Sequence, residues 1–162
     1  MVRSIVRWPN PALKTSCKAI QPGEPITQLT EDLVDTLESA GVGAGLAANQ
    51  IGESRRVLVI RSRTQGVKVF VNPEIIKATD WEMVPEGCLS APGVMEEVRR
   101  PLKVVVRYLN PDNGQVLEEE FEKSDAHVLA HEVDHLNGIM FIDHLKPGKR
   151  DAIRAFLRKT RR

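Results

Sequence analysis

The stretch Ser124-Asp-Ala-His-Val-Leu-Ala-His-Glu-Val-Asp-His-Leu-Asn-Gly138 is the one from which the rest of the chain is read. Ser124 or Asp125 is an N-cap residue type, and Gly138 is a helix stop, so the spacing predicts a helix to about Asn137. His131 and His135 are four apart and differ by about 40° around such a helix, so both rings fall on one side and can grip one ion. Glu132 lies beside them, placed to act on a water at the ion rather than to bind the ion itself.

A third ligand is needed, and two familiar arrangements fail. The position that would carry a third histidine three residues after Gly138 is Phe141, and no Glu follows Glu132 in the chain. His127 is about 12 Å along the helix from His135, too far for three side chains to converge. His144, Asp143 and Cys88 remain. Cys88 sits in the Gly-flanked loop Glu86-Gly-Cys-Leu-Ser90 and offers a thiolate suited to Fe(II) or Zn(II). Cys17 reads as a buried free thiol.

Working outward, Ile26, Leu29, Leu33, Leu37 and Ala40 form an amphipathic helical stripe that Gly41 ends. Arg56–Ile60, Val67–Val71, Val94–Val98, Leu102–Leu109 and Val116–Glu122 read as strands, with Asn110-Pro-Asp-Asn-Gly114 as a hairpin turn and 85–93 as a loop. Ile153, Phe156 and Leu157 predict a last short helix. Helices and strands do not alternate, which predicts an α+β fold. The cluster Gly41, Gly43, Gly45 follows a helix rather than a strand and lacks the context of a nucleotide loop.

The chain has 162 residues, 41% hydrophobic and 28% charged, which fits one globular domain and excludes a disordered or collagen-like chain. No apolar run is long enough for a membrane span, and the start lacks a secretory h-region. With two cysteines, the expected setting is the reducing cytoplasm. The formal charge of +1 divides into +7 over Lys146–Arg162 and −6 over the rest, an acidic body with a basic tail.

Three segments in order resemble peptide deformylase: Gly43-Ala-Gly-Leu-Ala-Ala-Asn-Gln50, Glu86-Gly-Cys-Leu-Ser90 and His131-Glu-Val-Asp-His135. Trp8-Pro-Asn-Pro-Ala-Leu13 and Leu136-Asn-Gly-Ile-Met-Phe-Ile-Asp143 are similar to that family too. The resemblance implies antiparallel or mixed sheets packed around a central helix bearing the His-Glu-x-x-His motif, with a C-terminal helix at about 147–162, all in a single catalytic domain over 1–162. It implies Cys88, His131 and His135 as ligands of one divalent ion, Fe(II) first, with Zn(II), Ni(II) and Co(II) as alternatives. It also implies hydrolysis of the formyl group of an N-terminal formyl-methionine on newly made polypeptides. Glu132 would carry the proton, and the Gln50 amide and the Leu89 N–H would stabilise the formyl oxygen.

By the same resemblance Ala44, Gly45 and Gly87 are backbone contacts for the peptide, and Val84, Ser124 and Val128 form the methionine pocket. Arg100 is either a basic group near the substrate or a solvated strand end. The sequence departs from the family at Ala44 and Ser124, where larger aliphatic residues are usual. It departs also at Ala130, which replaces a frequent Gln, and at His127, where Arg or an aliphatic residue is usual. Other readings are a relative hydrolysing another N-acyl substrate, and a metal-binding relative without activity. Glu132 and Gln50 speak against the last, since neither is needed to hold a metal. The basic tail offers a contact with the ribosome, from which such substrates emerge.

Overall fold

The structure, a computed structural model, describes residues 1–160. Its elements run in the order α1 (Thr27–Ala40), β1 (Gly45–Ala47), β2 (Val57–Ser62), β3 (Gly66–Glu86), β4 (Glu96–Leu109), β5 (Val116–Glu122), α2 (Lys123–Leu136) and α3 (Pro147–Thr160). The five strands form one antiparallel sheet in sequence order, so the fold is α+β with every named ladder antiparallel. Among the described residues, no helix is long and apolar enough to cross a membrane. Arg161 and Arg162, the end of the basic tail, lie outside the described residues.

The apolar run Val57-Leu-Val-Ile60 is buried throughout because β2 is covered on both faces. Leu58 and Ile60 pack with Phe70, Val104, Val106, Phe121, Leu129 and Leu136 beneath α2. Val57 and Val59 point the other way, into Leu29, Leu33 and Leu37 of α1. Side chains alternate along a strand, so β1 divides likewise. Leu46 joins the α1 side and Ala47 the α2 side, which turns Gly45 toward α2. A third cluster packs Ile153 and Leu157 of α3 on Trp8, Leu13, Phe141 and Ile142. Phe156, expected on that apolar face, is exposed.

The strands are longer than hydrophobic patterning predicts. β3 continues fifteen residues past Val71, through the half-polar stretch 72–86, because its partner β4 is equally long. Asn72 takes a left-handed φ of 49° where the register slips between Val71 and Glu74. Its side chain accepts from the Ile20 N–H at 2.7 Å and donates to the Ile20 carbonyl at 3.0 Å. β4 runs straight through Pro101, where patterning predicts a break. β5 begins its pairing only at Lys103, so Pro101 pairs with β3 alone, the one-sided setting in which a strand tolerates proline.

The start of α2 also differs from the expectation of a capping Ser124 or Asp125. Neither caps the helix, which enters from Lys123 at φ 57°. The Asp125 carboxylate is buried and instead accepts from Ser62 Oγ at 2.7 Å and Arg63 N at 3.0 Å, tying α2 to the β2–β3 turn. Gly41 ends α1 at φ 69° as expected. Gly138 follows α2 at φ 75°, and a side chain there would meet the Lys14 carbonyl oxygen at 2.6 Å.

Candidate metal centre and active site

Helix α2 carries His131, Glu132 and His135 into the core, at 8%, 1% and 0% exposure. The two Nε2 atoms lie 3.1 Å apart, and Cys88 Sγ lies 3.2 Å from His135 Nε2. One ligand atom from each of these three residues falls within 4.8 Å of the others. A tetrahedral ion with bonds of the usual lengths sets two nitrogens about 3.3 Å apart and sulfur about 3.5 Å from nitrogen, so the three donors fit one ion. Glu132 Oε1 lies 3.9 Å from His131 Nε2 and is buried with no hydrogen-bond partner among the described residues, aimed at the donor group without joining it. Burial pushes the Glu132 carboxyl up to about 7, against the pull of His131.

Cys88 is delivered by the loop that leaves β3 after Glu86. The loop closes through Ala91 N–H on the Cys88 carbonyl at 3.0 Å. Its sulfur accepts from Ser90 N–H at 3.4 Å and from Gln50 Nε2 at 3.5 Å, polar contacts suited to a thiolate. Gln50 lies in a short 3-10 turn after β1. Its Oε1 accepts from Ala47 N–H at 2.9 Å and its Nε2 donates to Ser90 Oγ at 3.1 Å, which fixes which end of the amide faces the thiolate. The N-terminal segment straps both pieces together, with Val6 N–H on the Gln50 carbonyl and Trp8 N–H on the Ser90 carbonyl. Among the described residues, no backbone carbonyl takes the Leu89 N–H.

Glu86 is the residue that sequence reasoning missed. It ends β3, is 3% exposed, and accepts from His131 Nδ1, from His127 Nε2 at 3.0 Å and from Arg100 Nε and Nη2 at 2.9 and 2.7 Å. Burial alone would raise the Glu86 carboxyl, but the bonds from Arg100, His127 and His131 outweigh it and hold the group well below the usual carboxylate range. A carboxylate only accepts, so His131 keeps its proton on Nδ1 and turns the Nε2 lone pair to the centre. Glu86→Gln is expected to weaken metal binding about 10- to 100-fold, read by competition with a chromophoric chelator. Unchanged affinity would remove Glu86 as the group that orients His131.

Asn49 was missed too; its Nδ2 donates to the His135 carbonyl, pinning the last turn of α2 beside the centre. These contacts span 45 and 86 residues of sequence, and no local pattern announces them. His144 and Asp143 are not ligands: His144 Nε2 pairs with Asp134 at 2.8 Å, and Asp143 accepts from the Met140 N–H at 2.9 Å. Cys17 is buried, and burial lifts its thiol to about 11, consistent with an inert packing role.

A groove of about 910 Å³ opens on the centre. Ala44, Gly45, Gly87 and Val128 line it, together with Gln50, Leu89, Met95 and His127. Val84, Ser124 and Arg100 do not. Val84 stands two residues up β3, paired with Val98. Ser124 is exposed at the outer end of α2, about 10 Å along the helix from His131. Arg100 is neither a groove residue nor a solvated strand end. It is 3% exposed and clamped between Glu86 and Asp134, the latter at 2.6 Å. Gly45 also has a role beside the one expected. A Cβ there would stand 2.7 Å from Glu132 Oε2, so the missing side chain makes room for that carboxylate.

A sequence model described as polypeptide deformylase matches residues 2–151. The chain belongs to the polypeptide deformylase family. Peptide deformylase of Mesorhizobium japonicum is 41% identical over 158 residues, covering 94% of this chain and 89% of that protein. The crystal structure of a peptide deformylase from Legionella pneumophila superposes with a TM-score of 0.90 at 38% identity, covering 99% and 96% of the two chains. A class I type b peptide deformylase from Acinetobacter baumannii, solved with Met-Ala-Ser bound, superposes at 0.84 and 31% identity over 90% of this chain and 99% of that one. The deformylase family is metal-dependent, in keeping with the Cys88, His131 and His135 group found here.

Proposed function

We propose that this deformylase acts as one catalytic unit that hydrolyses the N-formyl group of formyl-methionyl polypeptides, releasing formate and a free amine. The observation that carries the reading is one buried carboxylate, Glu132, facing a three-donor metal centre at the floor of an open groove. Cys88, His131 and His135 would hold the ion. Bound there, a divalent cation supplies the Lewis acid that acidifies water and polarises the formyl carbonyl. Fe(II) is the first choice, and Zn(II), Ni(II) and Co(II) suit the same donors.

The chain's own groups do the rest. Glu132 takes a proton from the attacking water as its oxygen bonds to the formyl carbon. Gln50 Nε2 and the Leu89 N–H donate to the formyl oxygen as charge builds there. Glu132 then hands the proton to the departing nitrogen, and the carbon–nitrogen bond breaks. Ala44, Gly45 and Gly87 border the groove where an extended peptide can pair with backbone. The relative solved with Met-Ala-Ser bound supports a methionine-first peptide as the product. Formate release from formyl-Met-Ala-Ser by protein loaded with one equivalent of Fe(II) tests the reading; full metal occupancy without turnover overturns it.

Such substrates emerge from ribosomes, so the reading places the protein in the cytoplasm. It also gives the basic tail a partner in ribosomal RNA. Lys146, just before α3, and Lys149, Arg158 and Lys159 along it are exposed. Reversing Lys146 and Lys159 to Glu is expected to reduce co-sedimentation with ribosomes and to flatten its salt dependence. Equal, salt-independent association of both proteins would end that part of the proposal.

A further inference from the structure

A second opening adjoins the groove. A cleft of about 370 Å³ lies between the loop that carries Cys88, the N-terminal segment and α3. Arg7, Pro92 and Gly93 line both openings, so the groove runs on into the cleft around that loop. Phe156 and Leu157 of α3 form the far wall. Leu157 is buried in the core, but Phe156 is 44% exposed and lines the cleft instead. A Cβ on Gly93 would stand 3.4 Å from the Phe156 ring, so the bare backbone there keeps the passage from groove to cleft low beside the aromatic face.

The charge of the cleft is one-sided. Arg3, Arg55, Arg100, Arg107 and Arg154 have carboxylate partners, whereas Arg7 is exposed and has none among the described residues. Among those residues it is the one charged side chain lining the cleft. Arg158 adds a second cation over Trp8, another lining residue, with its guanidinium carbon 5.0 Å from the ring centre. A free guanidinium beside an exposed aromatic ring suits a carboxylate next to an apolar side chain. Cys88 and Gly93 are five positions apart, so at most about 17 Å of loop separates them, a span that about five extended residues cover. We infer that the cleft is a second binding site for the substrate chain, in which residues after the third leave the groove over Gly93, seat an apolar side chain on Phe156 and place a carboxylate on Arg7. The inference rests on the hydrolase reading above and deepens it: the preferred substrates are polypeptides longer than a tripeptide, with acidic and apolar residues downstream. One lining cation between apolar walls fits such a chain better than a phosphate backbone, which is bound by a row of cations.

The test compares two octapeptides, formyl-Met-Ala-Ser-Glu-Leu-Glu-Leu-Ala and formyl-Met-Ala-Ser-Gly-Ser-Gly-Ser-Ala, in metal-loaded protein. The acidic, apolar peptide is expected to have a kcat/KM about tenfold above the other, carried by KM. Phe156→Ser is expected to bring that ratio close to one and to leave formyl-Met-Ala-Ser unchanged, since Phe156 stands on α3 and its exposed ring is not part of the core. Arg7→Ala is expected to lower the ratio and to remove its dependence on salt. Dissociation constants of the two unformylated octapeptides give the same ratio without turnover, and it is expected to fall in step. A ratio near one in the unaltered protein, or one that neither substitution moves, overturns the inference. So does a loss of ribosome co-sedimentation in Phe156→Ser with the ratio intact, because the cleft would then serve RNA. No formate from any formyl peptide overturns the hydrolase reading, while the binding ratio of the unformylated octapeptides still decides the role of the cleft.

Discussion

Glu132→Gln is expected to hold one equivalent of metal and to lose about 10²- to 10⁴-fold in kcat. The substitution keeps the shape of the side chain, and Glu132 is not one of the three donors, so the centre stays intact. What disappears is, among the described residues, the only buried carboxylate aimed at that centre with an oxygen unclaimed by any other group. A glutamine amide cannot take a proton from water at neutral pH or return one to a leaving nitrogen. The site is 1% exposed, and a neutral amide there costs less desolvation than a carboxylate, so folding stability is expected to hold or rise. Metal analysis, thermal unfolding and single-turnover formate release separate these effects. Near-normal turnover in the metal-replete variant would show that some other group carries the proton.

Gly45→Ala is expected to be nearly as damaging, about 10²-fold in kcat, with the metal retained and KM little changed. The backbone at Gly45 is in the ordinary extended range within β1, so the cost is one of space alone. The added methyl would stand 2.7 Å from Glu132 Oε2, 2.8 Å from its Cγ and 3.0 Å from the Val59 carbonyl oxygen. Val59 is fixed in the β1–β2 ladder opposite Leu46, so the carboxylate has to move. Combining the change with Glu132→Asp, whose shorter side chain withdraws the crowded methylene, is expected to make the added methyl far less costly than in the Glu132 protein. Equal cost in both backgrounds would mean that Gly45 serves only the substrate backbone.

How much of this was legible beforehand differs from residue to residue. Two histidines four apart point the same way by the geometry of any α-helix, so half the metal centre was readable from spacing. Cys88 was not, because it is 43 positions from His131 and competed with His144 and Asp143; only the resemblance of whole motifs selected it. Strand lengths were misjudged because β3 and β4 are stabilised by pairing with each other. Exposed Asp, Glu and Lys positions in such strands carry no alternation to detect. Arg100 was misplaced for a related reason. An arginine at a strand end normally meets water, and here two carboxylates from β3 and α2 close over it.

The sequence by itself determined the α+β class, the helix that presents His131, Glu132 and His135, the turns at Gly41 and 110–114, and the family to which the motifs belong. Each of these rests on interactions within a few residues, or on a pattern of residue types kept in order. Only the tertiary structure decided that Glu86 orients His131, that Asn49 anchors the end of α2, that Gly45 yields its volume to Glu132, and that Arg100 is clamped between Glu86 and Asp134. Those roles depend on contacts between segments brought together by folding, and a side chain's chemistry is set by such neighbours as much as by its own type.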